Sequence, residues 1–519
     1  MTHYTDLEYL KLSLFRKMTY KTKLFLYAIP LWFKNIFIGL WKVMKKFGTK
    51  VRDEAVDIWT TFRYGDWKTR VSYLIMGFGS LARGQWVRGL LFLLMEIAFI
   101  FYMVVAGAYY LSMFTSLGLH ERQTLVDEEG WEYIVEGDNS FKILLYILIT
   151  LLFIVAFIWT WRLNVKQNRI AQDIIREGKK LRSGKEDLQS LLDDQFHKTM
   201  LALPLLGILI FTVLPIIFMI LVAFTNYGKD HDPATGKLFT WIGWDNFDLL
   251  FGMKSTGTSE FGVAFGEIIV WTLIWAFFAT FLNYILGIFV ALMINKKGIK
   301  FKKVWRGILV LTIAIPQFIT LLYISKSFSD SAYVIALLRS WKWVGPKFSF
   351  WNDVTWSRVL VILINVWIGI PYLMLIATGV LMNVPADLYE SSKIDGAGPV
   401  KQFTKITLPY LLFVTGPYLL TSFTGNLNNF NVIYLLTGGG PANQHIITMQ
   451  MKDGVSITTQ TGGTDLLITW LYNLTVGTDS QPYYNVAAVI SIMMFLVVAT
   501  ISLIIYNILP SNRGEEDFQ

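Results

Sequence analysis

Residues 383–409 read NVPADLYESSKIDGAGPVKQFTKITLP, a polar stretch that lies between two long apolar runs. Pro385 suits the first position of a short helix, because a missing N–H costs nothing there. Gly396 and Gly398 can adopt the left-handed conformation that ends this helix, and Pro399 can then open a second one. A helix, a glycine turn and a second helix predict a rigid docking element, although geometry alone leaves an ordinary loop equally open.

The composition is that of a membrane protein. Of the 519 residues, 54% are hydrophobic and 16% are charged, whereas soluble domains carry about 25% charged residues. Apolar runs of about 18 residues or more recur, and each can cross a bilayer. The chain has no cysteine and five widely separated histidines, so no metal site is expected. The net charge of +9 gathers in alternate loops, which indicates orientation in a membrane and no binding of nucleic acid.

Eight membrane spans are predicted, which makes the fold class an all-α polytopic membrane protein. They lie at about 88–116, 142–164, 200–225, 264–294, 304–326, 357–382, 408–436 and 483–508. The predicted domains are a basic N-terminal region at 1–86, two spans with a basic linker at 87–199, and a core of six spans at 200–510. In the first region, the apolar run 24–41 has basic residues on both flanks. It is interpreted as an amphipathic stretch on the inner membrane surface, held by anionic lipid, and not as a span.

The charges of the loops predict which side of the membrane each loop faces. Residues 117–141 hold one basic residue and seven acidic ones, so this loop is expected outside. Residues 162–198 and 295–306 are rich in Lys and Arg, so both are expected in the cytoplasm. Alternation along the chain then puts residues 383–409 and both termini in the cytoplasm.

Two of the predicted spans carry a polar stripe at the helical spacing i, i+3, i+4, i+7. The sixth span has Asn365, Ile368, Gly369 and Tyr372, and the seventh has Ser422, Gly425, Asn426 and Asn429. Polar groups are costly against lipid, so these faces are expected to point at protein or at a water-filled cavity. Backbone breaks near Pro371 and Pro417 favour a cavity, and the alternative is close helix packing. The stripes contain no charge and suit a neutral, hydroxyl-rich solute.

The polar stretch also resembles a known motif. Glu390-Ser391-Ser392, Asp395-Gly396-Ala397 and Ile406-Thr407-Leu408-Pro409 are similar to the EAA loop of permease subunits in ATP-binding cassette (ABC) importers. The two alanines usual in this loop are serines here. The resemblance implies that Glu390, Ser391, Ser392, Asp395 and Gly396 form a coupling helix that sits in a cleft of a cytoplasmic ATPase. Glu390 would anchor the loop and Gly396 would set its turn.

A second resemblance covers roughly residues 70–510. The runs Asn365–Tyr372, Ser422–Phe430 and Tyr434–Pro441 are similar to the maltose and maltodextrin permease family. The resemblance implies that the eight stripe residues contact sugar midway across the membrane. Gly425 stands where the family has a bulky aromatic residue, and Ile368 stands where leucine is usual. The size and the identity of the sugar therefore stay open.

The two resemblances together imply a function. The chain would be the multi-pass permease subunit of an ATP-driven importer in the cell membrane of a prokaryote, moving malto-oligosaccharides by alternating access. It would catalyse no reaction and bind no cofactor, because it lacks a phosphate-binding G-x-x-x-x-G-K-[ST] motif. Two cytoplasmic ATPase subunits would use ATP and Mg. The other implied partners are a second permease chain in a heterodimer and an extracellular solute-binding protein.

Three alternatives are weaker on the sequence. A secondary transporter coupled to ions needs a titratable group on the pathway, and Glu96 is the one plausible candidate in a deep span, while Glu267 lies near an interface. A membrane-embedded glycosyltransferase needs clustered acids or metal ligands, which the loops lack. The chain could also be a permease of the same class for another solute, such as a raffinose-type sugar or glycerol phosphate. A phosphorylated solute, however, needs Arg or Lys in the stripes, and the stripes have neither.

Overall fold

The computed structural model describes residues 14–251, 260–296, 298–442, 445–450, 456–476 and 482–508. The chain forms two compact units. The first comprises Met1–Leu111 and Ile147–Leu209, and the second comprises Ser112–Tyr146 and Ile210–Gln519. The division at residues 86 and 199 expected from the sequence stays a prediction.

The described part of the first unit is built from helices. Their bounds are α1 Leu14–Tyr64, α2 Trp67–Val71, α3 Phe78–Leu81, α4 Trp86–Tyr102, α5 Ala108–Ser112, α6 Ser140–Arg176, α7 Gly184–Leu192 and α8 Phe196–Ile208. A π-helical turn, Met103–Gly107, joins α4 to α5. Helix α6 begins in the second unit and enters the first at Ile147.

Helix α1 is 51 residues long and contains the apolar run 24–41. It is not among the helices of the described chain that are long and apolar enough to span a membrane. Its C-terminal part is fixed to α6 by two ion pairs, Arg162–Glu54 and Arg169–Asp57. Most side chains of the run 24–41 lie outside the described residues, so its position on the membrane surface stays a prediction.

A ladder of buried amides on α6 holds the segment between α1 and α4. Asn164, Asn168 and Gln172 recur every four residues, which puts them on one helix face, and none is more than 7% exposed. Asn164 accepts the Gly77 N–H at 3.0 Å, and Asn168 accepts a hydrogen bond from Arg83 at 2.7 Å. Gln172 accepts two further hydrogen bonds from the same segment. Because a buried amide without a partner costs free energy, these bonds fix where the segment lies on α6.

The second unit holds the remaining helices and two small sheets. The helices are α9 Leu214–Val222, α10 Asp245–Phe251, α11 Glu260–Asn295, α12 Lys302–Ala314, α13 Gln317–Ser327, α14 Tyr333–Ser340, α15 Val354–Met382, α16 Ala386–Ile394, α17 Pro399–Gln402, α18 Leu408–Leu427, α19 Phe430–Thr437, α20 Leu467–Val476 and α21 Tyr484–Ile508. Short 3₁₀ turns cover Lys229–His231 and Pro233–Thr235, and π-helical turns cover Leu209–Val213 and Phe403–Thr407. Antiparallel hairpins pair β1 Gln123–Val126 with β2 Glu132–Val135, and β3 His445–Gln450 with β4 Ser456–Thr461.

Seven helices in the described chain are long and apolar enough to cross a membrane, and the bent pair of α12 and α13 raises the number to eight. The seven are Trp86–Ser112, Ser140–Arg176, Phe196–Val222, Glu260–Asn295, Val354–Met382, Pro399–Leu427 and Tyr484–Tyr506. The predicted all-α polytopic fold is therefore confirmed. Which side each loop faces stays a prediction.

The predicted span 304–326 is not a continuous helix. Helices α12 and α13 meet at an angle of 88°. Pro316 lacks the N–H that would continue the helix, and it keeps the preceding Ile315 out of the helical conformation, with ψ at 126°. The predicted span 304–326 is therefore a bent pair of helices, and whether the pair crosses the membrane as one span stays a prediction.

The predicted span 408–436 is also interrupted. Helix α18 ends at Leu427, and α19 begins at Phe430 after two asparagines. Asn429 accepts the Val432 N–H at 3.3 Å and so caps the new helix. A side chain that satisfies the first turn of a helix favours a new start over continuation, which explains the break without proline or glycine.

Helix α11 is the centre of the second unit and packs lengthwise on α15 and α18. Trp271, Trp275 and Ala279 on α11 are almost fully buried, as are Val361 on α15 and Leu427 on α18. A second apolar cluster follows towards the other end of α11 and packs it against the same two helices. These contacts set the relative positions of the helices that carry the two polar stripes.

Asp465 is buried in the loop that joins β4 to α20, within the region 437–482 predicted as an outer loop. It is 2% exposed and accepts hydrogen bonds from Gly462 N at 2.7 Å and from the Thr469 hydroxyl at 2.8 Å. Burial raises the pKa of Asp465 to about 6, because desolvation disfavours the carboxylate more than the two hydrogen bonds favour it. This carboxyl group ties together the loop ahead of α20.

We expect Asp465 to make the stability of the protein depend on pH. Since its folded pKa lies above its ordinary value of 3.8, its favourable contribution is complete below about pH 4 and is lost as the pH rises through about 6. Asp465→Asn can accept the Gly462 N–H through its amide oxygen and donate to the Thr469 hydroxyl through its amide nitrogen, so both contacts can persist without the charge. The variant should therefore nearly match the wild type in melting temperature at about pH 4 and exceed it at about pH 8, by up to about 3 kcal/mol in the free energy of unfolding.

The measurement is thermal unfolding of the detergent-purified protein at both pH values. Asp53→Asn, which removes an exposed charge on α1, controls for the change in net charge. A constant difference between Asp465→Asn and wild type at both pH values would contradict the assignment.

Candidate functional site

The polar stretch forms a helical hairpin. Helix α16 follows Pro385, which is its N-cap. The sequence analysis had predicted Pro385 as the first helical residue. Gly396 has φ of +76° and makes the left-handed turn. Gly398 was predicted to share this conformation, but its φ is −71° because it is the extended N-cap of α17, which Pro399 opens. One glycine of the two therefore requires positive φ.

Hydrogen bonds across the hairpin fix its two arms together. The Gln402 amide donates to Ser392 Oγ at 2.9 Å and to the Tyr389 carbonyl at 3.3 Å. The hydroxyls of Tyr389 and Thr407 lie 2.9 Å apart. Ser392 therefore helps to hold the two arms of the hairpin together. The resemblance had assigned it only to the contact with an ATPase.

The outer side of the hairpin is exposed. Of the predicted coupling residues, Glu390, Ser391, Asp395 and Gly396 are all exposed. Apolar side chains stand beside them: Leu388 is 46% exposed, Val400 is 77% exposed and Ile394 is 87% exposed. A mixed polar and apolar surface of this kind marks a protein contact. The structure thus groups the five predicted coupling residues in one element, and their role stays a prediction.

The first polar stripe lies on α15 and faces α11 near its middle. Asn365 is buried, Ile368 and Gly369 are half-buried, and Tyr372 is 51% exposed. A Cβ atom on Gly369 would overlap the side-chain amide of Asn283 on α11. The absence of a side chain at Gly369 therefore leaves room for that amide.

The second polar stripe, on α18, is partly engaged in holding helices. The side-chain amide of Asn426 donates to the Thr280 hydroxyl at 3.0 Å. The backbone carbonyl of Asn426 accepts a hydrogen bond from Trp275 Nε1 at 3.0 Å. The Asn429 amide donates to Asn426 Oδ1 at 3.2 Å. Asn426 and Asn429 thus form a short amide chain between α11, α18 and the start of α19.

The other two members of this stripe are less constrained. Gly425 is exposed and has no atom within 4 Å of the position a Cβ would occupy. Ser422 is half-buried and lies near the Tyr418 hydroxyl. The rings of Tyr418 and Tyr372 lie 6.1 Å apart between α18 and α15. The two stripes therefore meet through these tyrosines, and open space remains at Gly425.

A third polar stripe on α11 was missed by the sequence analysis. Thr280, Asn283, Tyr284 and Gly287 stand at the same i, i+3, i+4, i+7 spacing that identified the other two. The Tyr284 hydroxyl lies 2.7 Å from that of Thr415 on α18. Asn283 Oδ1 is buried and has no hydrogen-bond partner within the described ranges. An unpaired buried acceptor is costly, so this atom is suited to accept a hydrogen bond from a bound hydroxyl group or from water.

The two intramembrane acids have local partners. Glu96 on α4 accepts the Met76 N–H at 2.8 Å. Glu267 on α11 is exposed and interacts electrostatically with Arg358. The Arg358 guanidinium lies 4.5 Å from the Trp271 ring centre and donates to the Gly463 carbonyl at 2.7 Å. Neither acid lies on the three stripes, and a transport role for either stays untested.

The fold and the stripes define a class: a polytopic α-helical carrier with an uncharged polar lining and an exposed helical hairpin between two spans. Residues 283–513 match the family described as "Binding-protein-dependent transport system inner membrane component". The maltodextrin transport system permease of Bacillus subtilis is 33% identical over 84% of this chain and 93% of its own length. The chain belongs to this family of membrane permeases, is a transport component and not an enzyme, and is a multi-pass protein of the plasma membrane.

Two further relatives show how the resemblance extends. The galactooligosaccharides transport system permease of Bacillus subtilis is 33% identical over 83% of this chain and 94% of its own length. The maltose/maltodextrin permease of Escherichia coli strain K12 is 34% identical over 279 residues, which cover 54% of this chain and 51% of that protein. The predicted family is therefore confirmed.

The contact between Gly369 and Asn283 gives a testable prediction. In Gly369→Ala, the new methyl group would displace the Asn283 amide, which is the far end of a flexible side chain, so the fold should be kept while the site changes. We expect transport to fall about five- to tenfold, the equivalent of one lost hydrogen bond of about 1 kcal/mol, with little change in melting temperature.

The matched control is Gly379→Ala on the same helix, because a Cβ there meets no atom within 4 Å. Both variants are compared with the wild type for solute uptake and for thermal unfolding. If the two variants transport equally, Gly369 and Asn283 are not part of the pathway.

Proposed function

We propose that the chain is the permease subunit of an ATP-driven importer whose solute is a malto-oligosaccharide. The observation that carries this proposal is the set of three uncharged polar stripes on α11, α15 and α18, which converge through the contacts of Asn283, Asn426 and Tyr372. Amide and hydroxyl groups both donate and accept hydrogen bonds, as the hydroxyl groups of a sugar require. The maltodextrin permease of Bacillus subtilis, which is 33% identical to this chain, supports the same solute class.

The proposed sugar contacts are Asn365, Ile368, Gly369, Tyr372, Ser422, Gly425, Asn426 and Asn429, with Thr280 and Asn283 added from α11. Tyr372 offers a ring face for a sugar and a hydroxyl for one of its oxygens. The open space at Gly425 admits a bulkier or longer sugar than an aromatic residue there would. Weak binding is expected, because a carrier must also release its solute.

The proposed partners follow from the family and from the hairpin. A solute-binding protein would deliver the sugar outside, and a second permease chain would complete the pathway. Two ATPase subunits would bind ATP and Mg, and one of them would contact the hairpin through Glu390, Ser391, Asp395 and the exposed Ile394. Closure of the ATPases would move α16 and thereby α15 and α18, which leave the membrane on either side of it.

A second candidate solute is a galacto-oligosaccharide. A relative with that name is 33% identical to this chain over almost the same length. Both sugars are neutral and rich in hydroxyl groups, so the uncharged stripes suit either of them.

The test is uptake into proteoliposomes that contain this chain with its second permease and ATPase, supplied with the binding protein. Labelled maltotriose and a galactose trisaccharide are compared, each with and without ATP. We expect maltotriose uptake that requires ATP. Greater uptake of the galactose trisaccharide would favour the second candidate, and uptake driven by an ion gradient without ATP would refute the importer.

The hairpin turn supplies a prediction for coupling. Gly396 and Gly398 are both exposed, and a Cβ on either meets no atom within 4 Å, but only Gly396 has positive φ. An L-residue in that conformation costs about 1–2 kcal/mol. We therefore expect Gly396→Ala to reduce ATP-driven uptake about five- to tenfold, and Gly398→Ala to change it little.

ATPase activity of the same preparations is measured with and without loaded binding protein. Loss of the stimulated ATPase activity in Gly396→Ala, with basal activity kept, would assign the defect to coupling. Equal uptake in the two variants would show that the left-handed turn is not required.

A further inference from the structure

The first unit contains a basic cavity whose lining includes no residue of the three polar stripes. Its volume is about 420 Å³, within the range of roughly 300–1,000 Å³ that is typical of small-molecule sites. It lies between the start of α4, the last third of α6 and the segment that leads into α7. Arg88 and Gln85 come from the α4 side, and Gln167 and Ile174 come from α6.

The lining carries positive charge. Arg88, Lys179, Lys180 and Arg182 all line the cavity, and no carboxylate does so among the described lining residues. Arg88 is held by Asp187 at 2.6 Å, and Lys179 is 2.7 Å from Glu177.

The other two cations are less neutralised. Arg182 is 3.8 Å from Asp194, and both side chains are more than half exposed. Lys180 belongs to none of the ion pairs found within the described chain. The cavity therefore has a surplus of positive charge and suits an anion.

A buried amide also lines the cavity. Gln85 is 4% exposed, and its Oε1 has no hydrogen-bond partner among the described residues. The amide oxygen and nitrogen can exchange places by rotation of the side chain. The group can therefore accept from a hydroxyl of a ligand or donate to a phosphate oxygen, and either bond would satisfy it.

The position of the cavity points to a lipid. Arg88 is the third residue of the span Trp86–Ser112. Gln167 lies 27 residues after Ser140, the start of α6, which is about 40 Å along the helix at 1.5 Å per residue. The hydrocarbon core of a bilayer is about 30 Å thick, so both residues lie where helices leave it. Basic pockets between helices at this level bind lipid headgroups.

We propose that this cavity binds the headgroup of an anionic phospholipid. Lys180 and Arg182 would contact the phosphate, Gln85 would bond a headgroup oxygen or hydroxyl, and Ile174 would pack against the apolar part of the lipid. A soluble phosphate compound shares the phosphate chemistry but has no acyl chains. The lipid would join α4, α6 and the segment before α7, and so stabilise the first unit.

Native mass spectrometry of the purified full chain tests this, with phosphatidylglycerol or phosphatidylcholine as the added probe. We expect one phosphatidylglycerol to be retained in preference to phosphatidylcholine. The double variant Lys180→Gln/Arg182→Gln should reduce that retention by at least about tenfold, since both basic residues act on the same phosphate. Lys229→Gln/Lys237→Gln, which removes the same charge from exposed positions in the loop between α9 and α10, should leave it unchanged.

Three results on lipid retention would overturn the proposal. They are equal retention of the two lipids, undiminished retention in the Lys180 and Arg182 variant, and an equal loss in the Lys229 and Lys237 control. Complete displacement of phosphatidylglycerol by millimolar inorganic phosphate would also overturn the lipid assignment, and would replace it with a soluble phosphate ligand. Thermal unfolding of both double variants without lipid keeps a folding defect distinct from lost binding.

Discussion

A polar group inside a bilayer must have a partner, and this constraint organises the second unit. Thr280, Asn283 and Tyr284 on α11 cannot face lipid without cost. They are turned towards α15 and α18, where Asn426 and Thr415 bond two of them. The packing of the three helices and the polar lining between them therefore have the same physical origin. Asn283 is the exception, because its buried side-chain oxygen has no hydrogen-bond partner among the described residues.

The sequence allowed much of this to be predicted, because membrane length, charge alternation and helical spacing are local signals. Spacing identified the stripes on α15 and α18, since their polar residues interrupt otherwise apolar runs near proline and glycine. The stripe on α11 has the same spacing but lies in a longer apolar helix that contains no proline, and it was not recognised. Which partner each amide takes depends on a second helix, so the roles of Asn426 and Asn429 in holding helices could not be read from one span.

Breaks in helices were harder to predict than the helices themselves. Pro316 is a visible signal for the bend between α12 and α13, but hydropathy alone made the run look continuous. The break after Leu427 has no such signal, because it depends on Asn429 capping α19. In the hairpin, two glycines looked equivalent in the sequence, and only the structure shows that Gly398 is the extended N-cap of α17 while Gly396 has positive φ. The buried amides of α6 were also unexpected, because they lie in a stretch whose Lys and Arg content predicted an exposed basic loop.

Asn429 makes two structural contacts with one side chain, and this restricts which substitutions the protein can accept at that position. Its side chain caps α19 and also bonds Asn426, so a substitution that changes the polar stripe at this position would also remove the cap of α19. Gly425 carries no such structural obligation, since no described atom lies within 4 Å of the position that its Cβ would occupy. Substitutions within the stripe on α18 should therefore accumulate first at Gly425, while the asparagines change late or together.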